Sequence, residues 1–323
     1  MTSTTRTVPH RGITALLTLV VPLLVLAAAL LVVGGWRDEL PAEVATHWSN
    51  DGVDQVGSAA GMLVTFSAIV VLFSVAMWAL GTFAGQAAMT RRFVAGIAVW
   101  LAIFLGGILV VTFDAQRGLT DARDATGIGG GVVVTLAIAF AAGIAAASVV
   151  PRDPHRPAHS ALPATTTTLP LDVDTRATWV RTTRQGHAWL IIAAIAVASV
   201  GLGIATDWWI GLILGVGLTP LLMLLSATVV IDARGLMART AFPWPRITVP
   251  LDEIEDVSVV RVDPMGEFGG WGIRTALDGS IGMVLRKGDG IEVRATGGRR
   301  YVVTVDDAAT GAALLATLAG RAR

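Results

Sequence analysis

Long apolar runs separated by short polar segments dominate the hydrophobic pattern along the chain. An α-helix needs roughly 20 apolar residues to cross a bilayer core. Runs of this order lie near residues 13–35, 62–84, 93–112, 131–150, 188–205 and 209–231. The pattern predicts an α-helical polytopic membrane protein with six transmembrane helices. Arg6 and Arg11 precede the first run as in a signal peptide, but its apolar core is longer and no small-residue cleavage site follows, so we predict a retained span.

The composition agrees with a membrane protein and excludes several kinds of site. The 323 residues are 54% hydrophobic and only 15% charged, whereas soluble proteins carry about a quarter charged residues. The chain has no cysteine, which excludes disulfides, thiol nucleophiles and thiolate metal sites. The formal net charge is zero, so no nucleic-acid partner is predicted. The lipid bilayer is the predicted partner, and the composition does not fix an oligomeric state.

Arginine is concentrated in every second connection between the apolar runs. The N-terminal tail, the second connection and the fourth connection carry it, whereas the intervening connections are mainly acidic. Cytoplasmic loops of membrane proteins are enriched in basic residues. We therefore predict a multi-pass plasma-membrane protein with both termini in the cytoplasm and with the loop 36–60 on the outer face.

The six apolar runs contain no Asp, Glu, Lys, Arg or His. Ionisable residues inside spans mark proton relays and ion pathways, so a small-solute transporter is only a third hypothesis. Prolines at two positions predict helix kinks, and two G-x-x-x-G pairs predict close helix contacts within the bundle. These are Pro22, Pro220, Gly81 with Gly85, and Gly211 with Gly215.

The sequence lacks the motifs of common enzyme classes. It has no H-E-x-x-H, no G-x-S-x-G, no Walker A loop and no dinucleotide fingerprint in its usual context. His155 and His159 have the spacing of helical metal ligands, but nearby prolines disfavour a helix and no third ligand is evident. We predict a protein that is not an enzyme and has no cofactor or metal.

A proline- and threonine-rich segment, residues 151–187, divides the chain into two halves. Its composition predicts an extended, solvated cytoplasmic linker. Before it lies a four-span membrane unit, residues 1–150. After it come a transmembrane hairpin, residues 188–231, and a β-rich cytoplasmic domain, residues 232–323.

The C-terminal part has the alternation and glycine turns of antiparallel strands. "TVVIDARGLMART" predicts a hairpin that turns at Ala233–Gly235, and "RITVPLDEIEDVSVVRV" predicts two strands around a solvated acidic turn. "GMVLRKGDGIEVRAT" and "GRRYVVTV" predict two more β pairs. Asp306 or Asp307 then caps a helix whose apolar stripe comprises Leu314, Leu315 and Leu318. The prediction is a small barrel or sandwich capped by one helix.

This order resembles the bacterial pleckstrin-homology-like (PH-like) domains that follow a membrane hairpin. The resemblance lies in "VVIDARGLMART", "ITVPLDEIEDVSVV" and "YVVTVDDAATGAALLATL", and it implies an interaction or assembly module. "FGGWGIR" is similar to a segment of actinobacterial membrane proteins that end in such a tail. Its residues Gly269, Gly270, Trp271 and Arg274 are candidates for a cytoplasmic interaction. The alternative is a β-bulge with Trp271 plugging the core.

The first connection, "LPAEVATHWSNDGVDQVGS", is richer in turn and aromatic residues than a plain loop needs. It predicts an extended stretch followed by a turn at residues 49–52. It resembles the signature of a bacterial domain of unknown function carried by SdpI-type immunity and signalling membrane proteins. Ala45 and Val53 replace prolines of that pattern, and the second SdpI-specific membrane region is not evident. The matching residues are Leu40, Pro41, Val44, Thr46, His47, Trp48, Asn50, Gly52 and Asp54.

Three roles are open for this loop. Trp48 fits an interfacial aromatic belt, and His47 fits hydrogen bonding that only shapes the loop. The same residues fit recognition of an external peptide or envelope component, or a metal site of His47 with Asp51 or Asp54. We expect a non-enzymatic protein of sensing, immunity or signalling with a further cytoplasmic protein partner. The alternative is a structural or assembly subunit of a cell-envelope complex.

Overall fold

The computed structural model describes residues 8–323 except 50–51, 173–174, 185, 187, 206–210, 212–213, 216–225, 241–245 and 277. The chain divides into two compact units, Val8–Asp153 and Pro154–Arg323. The first is helical with one small β-hairpin, and the second is rich in β-strands.

Four helices of the first unit are long and apolar enough to cross a membrane. They are α1 (Arg11–Gly34), α2 (Ala59–Phe83), α3 (Ala88–Asp114) and α4 (Gly129–Val149). Each coincides with one of the first four predicted spans, with small differences at the ends. Because apolar side chains such as Leu31 and Leu72 remain largely exposed on these helices, a lipid environment is the solvent that suits them.

Helix α3 contacts each of the other three helices. Its contact with α4 depends on paired glycines, since a β-carbon on Gly96 would lie 3.0 Å from the carbonyl oxygen of Gly143. Membrane helices gain close backbone packing from such small residues. Gly81 of the predicted G-x-x-x-G pair likewise lies against Thr14 and Val94, which agrees with packing inside the bundle.

The predicted irregularity at Pro22 is present. Proline cannot donate to the preceding turn, and the turn directly before it, Leu16–Val20, is π-helical. Thr18 donates its hydroxyl to the carbonyl oxygen of Thr14 at 2.8 Å. The second predicted kink, at Pro220, lies outside the described residues.

An arginine is buried near the connection between α2 and α3. The side chain of Arg91 is fully buried and pairs with Asp153 at 2.9 Å. It also donates to the carbonyl oxygens of Gly85 and Gln86 at 2.8 and 3.0 Å. This arginine, expected only as a marker of the cytoplasmic side, therefore also fastens the α2–α3 connection to the chain after α4.

The second unit begins with a four-stranded antiparallel sheet in the order β3-β4-β5-β6. Its strands are β3 (Trp179–Arg184), β4 (Ser226–Asp232), β5 (Gly235–Thr240) and β6 (Arg246–Pro250). An apolar helix, α5 (Ala188–Ala205), lies between β3 and β4 in the chain. The predicted hairpin turn at Ala233–Gly235 is confirmed.

Two predicted boundaries are wrong at this point. Residues 179–184 were assigned to the linker but pair with β4, from Trp179 opposite Ile231 to Arg184 opposite Ser226. The sixth span was predicted to reach residue 231, whereas residues 226–231 form β4. Most of the earlier part of that predicted span lies outside the described residues.

The second sheet has five strands in the order β7-β10-β11-β9-β8, and only β9 and β11 are parallel. The strands are β7 (Ile254–Val262), β8 (Gly272–Thr275), β9 (Ile281–Val284), β10 (Gly288–Ala295) and β11 (Arg299–Thr304). A short helix, α6 (Pro264–Phe268), follows β7. The strands predicted on either side of the acidic turn and around the glycine turns are all present. The predicted pairing of β9 with β10 is wrong, because each of them pairs with β11 instead.

The C-terminal helix α7 (Ala308–Arg321) contacts strands of both sheets and closes their core. Its predicted stripe of Leu314, Leu315 and Leu318 is buried. Asp307 occupies the N-cap position, as predicted, but its carboxylate accepts hydrogen bonds from the Thr310 hydroxyl and the Trp179 indole. The first, with Thr310, contributes most to holding the pKa of Asp307 below its usual value.

The described residues before β3 form no helix or strand, but they are packed against the β-rich unit instead of being solvated as predicted. Leu169 donates its backbone N–H to the Thr317 hydroxyl at 2.8 Å, and Arg321 binds the carbonyl oxygens of Leu171 and Asp172. An extended chain leaves its backbone groups free for such partners. We call residues 154–172 the strap.

The acidic turn between β6 and β7 is only partly solvated, because Glu253 does not face solvent as predicted. Glu253 is buried and pairs with Arg299 at 2.7 Å. His155 of the strap bridges the two acids of this turn, with Nδ1 2.9 Å from Glu253 and Nε2 2.9 Å from Asp252. The charges are tolerated because each buried carboxylate oxygen has a cationic or N–H partner.

Candidate functional site

The candidate site is a β-hairpin that connects α1 to α2. Strands β1 (Val44–Ser49) and β2 (Gly52–Gly57) pair antiparallel around the predicted turn. The register shifts on both sides of His47, which faces Gln55. Such an irregularity re-aims a side chain at a sheet edge. We call this part of the four-helix unit, together with the α3–α4 connection at residues 115–128, the hairpin end.

The base of the hairpin is buried against the helices. Val44 is fully buried and packs with Val33, Leu109 and Phe113. The backbone N–H of Ala45 donates to the side-chain carbonyl oxygen of Gln116 at 2.6 Å, and the Gln116 amide donates back to Ala45 at 3.4 Å. Because this amide also binds the carbonyl oxygen of Thr112 at 2.8 Å, it fixes the hairpin backbone to the end of α3.

A second contact holds the chain that leads into the hairpin. Arg117 pairs with Glu39 at 2.9 Å and with Asp114 at 3.2 Å. Its guanidinium lies 4.8 Å from the centroid of the Trp36 ring, within cation–π range. The hydrogen bond to Glu39 is the largest of the interactions that raise the pKa of Arg117 above its usual value.

No sequence pattern pointed to these anchors. Gln116 and Arg117 follow an apolar span as single polar residues, and Gln116 is 71 positions from its partner Ala45. Neither residue belongs to a motif or a periodic pattern. Only the folded chain brings them to the hairpin.

His47 and Asp54 form an exposed pair on the anchored hairpin. His47 Nδ1 lies 2.7 Å from a carboxylate oxygen of Asp54, and the two side chains are 59% and 43% exposed. With the proton on Nδ1, the imidazole donates to Asp54 and its Nε2 has no partner among the described residues. The pair therefore presents an oriented imidazole nitrogen and a carboxylate to solvent.

The other motif residues support this arrangement. Leu40 packs on the buried cluster, and Thr46 donates to the carbonyl oxygen of Gln55 at 3.3 Å. Gly52 adopts φ 109°, which favours glycine, and accepts from the Ser49 hydroxyl at 3.1 Å. Trp48 is partly buried. Pro41 precedes β1 without a described polar contact, and Asn50 lies outside the described residues.

The geometry limits the chemistry available to the pair. A His–Asp pair activates a nucleophile that lies within hydrogen-bond reach of the imidazole. The nearby Ser49 hydroxyl instead donates to the Gly52 carbonyl oxygen. In the part of the chain that the structure describes, no group of three His, Cys, Asp or Glu residues could hold a metal ion. The pair itself can exchange hydrogen bonds with a ligand and present charge to it.

The candidate cytoplasmic residues form a compact turn between α6 and β8. Gly269 and Gly270 adopt φ 66° and 144°, and Arg274 lies over Gly270 while donating to the Trp271 carbonyl oxygen at 2.9 Å. The Trp271 side chain is 45% exposed. The alternative prediction, that Trp271 plugs the core, is therefore wrong, because the glycine turn directs the ring to the surface.

Comparison with known proteins leaves the family of the chain open. No protein-family model, no curated protein and no solved structure matches it. The geometry of the hairpin and the division of the chain into a helical unit and a β-rich unit are what bear on its function.

Proposed function

We propose that the chain is a non-enzymatic, multi-pass protein of the plasma membrane that recognises an external peptide or envelope component through the β1–β2 hairpin. Both termini lie in the cytoplasm, and the β-rich unit contacts a cytoplasmic partner. The role is sensing, immunity or signalling of the SdpI type. The observation that carries the proposal is the exposed His47–Asp54 pair on a backbone anchored by Gln116.

Anchoring matters because recognition is weakened when a binding loop must first be ordered. Val44 and Ala45 are fully buried at the base of the hairpin, whereas His47 and Asp54 project into solvent. A loop that served only as a spacer would not need a buried base and exposed polar side chains at its tip. The arrangement favours a preformed recognition element.

The charge of the hairpin end indicates the kind of ligand. Among its described residues, acids outnumber arginines, and several acids are exposed. Complementary charge increases the rate and the specificity of association. A cationic peptide therefore fits this end better than an anionic one.

The proposed topology has six spans, of which α5 is the fifth. Arg184 and Ser226 are paired at the same end of the sheet, so the inserted chain between them must return to its starting side. After α5 the chain runs back alongside it, since Gly211 and Gly215 lie against Ser199. Both points support a hairpin of two spans, and arginine placement supports a cytoplasmic β-rich unit.

Two sheets that are antiparallel except for the β9–β11 pair, closed by a C-terminal helix, also suit the proposed PH-like assignment of the β-rich unit. In such a domain the unit would serve as an interaction module. Its surface offers Trp271 and Met265, both substantially exposed. The amide of Gly270 binds the carbonyl oxygen of Pro264 at 2.9 Å, which keeps the two segments together.

The proposed function is tested by in-cell crosslinking. A photo-crosslinking residue replaces the exposed Gln55, which is opposite His47, in the full chain. We expect an adduct with an external peptide or envelope component that is lost in the His47→Ala/Asp54→Ala variant and retained in the charge-matched control Glu43→Ala. An adduct unaffected by the double substitution would contradict recognition by the pair.

An assembly subunit of an envelope complex is the second candidate, favoured by the exposed Trp271 and Met265. It predicts a partner of fixed stoichiometry that co-purifies with the full chain. Trp271→Ala should release this partner, whereas His47→Ala/Asp54→Ala should not. Retention of the partner by the Trp271 variant would argue against this candidate.

A further inference from the structure

The apolar helix α5 leaves the four-stranded sheet from one defined end. It begins at Ala188, four residues after Arg184, and the chain re-enters the sheet at Ser226, opposite Arg184. Most of its large apolar side chains are exposed, including Ile204 at 81%. Only lipid or another apolar surface can cover such a helix. We call the end of the sheet with Arg184 and Ser226 the exit end.

Three exposed arginines lie on the outward face of the sheet at the exit end. Arg239 and Arg246 are directly opposite each other on β5 and β6, in the same row as Thr228 and Thr182. Arg184 follows Thr182 by two residues and therefore projects from the same face. All three arginines are exposed. We call Arg184, Arg239 and Arg246 the exit arginines.

The exit arginines have no acidic partner among the described residues. In the four strands the only acid is Asp232, which lies at the opposite end and pairs with Arg234. Like charges placed directly opposite each other destabilise a sheet. The Arg239–Arg246 pair is therefore unfavourable unless an anion lies nearby.

The distance to the bilayer fits a headgroup contact. The four-residue step from Arg184 to Ala188 spans at most about 14 Å, and the headgroup layer adds roughly 5–8 Å to each side of the hydrocarbon core. A fully extended arginine side chain shortens the distance that remains between its guanidinium and the headgroups. Charges attract each other over about 8 Å in physiological salt, so direct contact is not required.

We propose that the exit arginines bind the anionic phospholipid headgroups of the leaflet into which α5 inserts, so that the exit end of the sheet lies against the membrane surface. The contact is electrostatic and requires no headgroup pocket. The contact rests on the proposed insertion of α5 as the fifth span, and the leaflet that is contacted follows from the proposed topology. The opposite end of the sheet, with its Asp232–Arg234 pair, faces away from the lipid.

The expected effect is large enough to measure. A basic residue near an anionic membrane surface favours the bound state by roughly fivefold. Replacing all three exit arginines should lower the ratio of membrane-seated to released β-rich unit by about a hundredfold. Because the unit remains tethered through α5, the change appears as a change in orientation and not as dissociation.

The test uses the full chain in nanodiscs of phosphatidylcholine, with or without about one third phosphatidylglycerol. Since the chain has no cysteine, Thr182→Cys gives a single site for a fluorophore on the outward face, and Ala233→Cys gives one at the opposite end. Quenching by headgroup-nitroxide lipids reports contact with the membrane surface. The test variant is Arg184→Gln/Arg239→Gln/Arg246→Gln. The charge-matched control is Arg176→Gln/Arg234→Gln/Arg261→Gln, three exposed arginines away from the exit end.

We expect the label at position 182 to be quenched more strongly when phosphatidylglycerol is present, and the test variant to lose this increase. The control variant should keep it, and the label at position 233 should not respond to lipid composition. Equal quenching of position 182 in both lipids would overturn the proposal. So would an increase that persists in the test variant, or one that the control variant loses equally. Thermal melting of each variant verifies that the β-rich unit is folded.

Discussion

Gln116→Met is the most informative substitution at the candidate site. Methionine is close to glutamine in size, so the fully buried site keeps its volume. The substitution removes the acceptor for the Ala45 N–H, at 2.6 Å, and the donor to the carbonyl oxygens of Ala45 and Thr112. The hairpin keeps its strand pairing and the packing of Val44 but loses its hydrogen-bonded attachment to α3.

The cost follows from the buried N–H of Ala45. A buried donor left without an acceptor costs about 1–3 kcal/mol. A loss of about 2 kcal/mol from the free energy of local opening corresponds to a roughly 30-fold increase in the population of the open hairpin. The helices below the hairpin should be unaffected, because local opening of one element does not require the others to unfold.

Hydrogen–deuterium exchange of the full chain in nanodiscs measures this population. Peptides that cover residues 40–57 should exchange about 30-fold faster in Gln116→Met, while peptides from α2 and α4 keep their rates. Gln55→Met is the matched control, since this side chain is exposed on the same hairpin. Its exchange should equal that of the unmodified chain.

Two results would refute this reasoning. Unchanged exchange across residues 40–57 would mean that Gln116 does not anchor the hairpin. Equal acceleration in all peptides of the four-helix unit would mean that the residue stabilises the whole bundle. Either result would mean that Gln116 does not hold the hairpin independently of the rest of the four-helix unit.

Three further substitutions test the β-rich unit. Arg299→Met leaves the buried Glu253 without its closest cation, and thermal melting of the full chain should show a loss of about 3–5 kcal/mol. Burial alone would raise the pKa of Asp278, but hydrogen bonds from Ser280 and Arg300 outweigh it and lower that pKa. Asp278→Asn should therefore lower the melting temperature at neutral pH, with the difference disappearing as pH falls below the usual carboxyl value of about 3.9. His155→Ala should release the strap and increase its cleavage in limited proteolysis, whereas His159→Ala should not.

Each of these expectations has a contrary result. An Arg299 variant as stable as the unmodified chain would show that Glu253 does not depend on this ion pair. A melting difference for Asp278→Asn that persists in acid would mean that the carboxylate charge does not contribute. Equal cleavage of the two histidine variants would show that the bridge from His155 to the acidic turn does not hold the strap.

The hydrophobic pattern correctly predicted those helices and strands whose whole length shows a single periodicity. The first four spans and the β4–β5 hairpin at Ala233–Gly235 depend on local sequence alone, through apolar length and a glycine turn. The prediction was wrong at residues 226–231, where β4 continues an apolar run that begins in the predicted sixth span. Alternation of small and β-branched residues over so few positions cannot be distinguished from a helix end.

No local sequence pattern predicted the polar contacts between residues that are far apart in the chain. The strap was predicted to be solvated because its prolines exclude regular structure, yet those same extended backbone groups bind Thr317 and Arg321 of α7. Glu253 was predicted to be exposed because it lies in an acidic turn, but Arg299 pairs with it across the unit. Such pairs depend on the fold and leave no periodic signal.

The candidate site was predicted in part. The turn signal at residues 49–52 and the extended stretch before it predicted where the hairpin folds, and the motif contained both members of the His47–Asp54 pair. The contact between them lies at the register shift around His47. The neighbouring Ala45 is held by Gln116, which comes from a different loop.

Accessibility of single cysteines in intact cells tests the central claim most directly, because the hairpin must face outward to recognise an external ligand. Gln55→Cys and Ala233→Cys each place one thiol at an exposed position in a chain that otherwise has none. A membrane-impermeant maleimide should label position 55 in intact cells and position 233 only after lysis. Labelling of position 233 in intact cells, with position 55 protected until lysis, would contradict the proposed topology and external recognition by the hairpin.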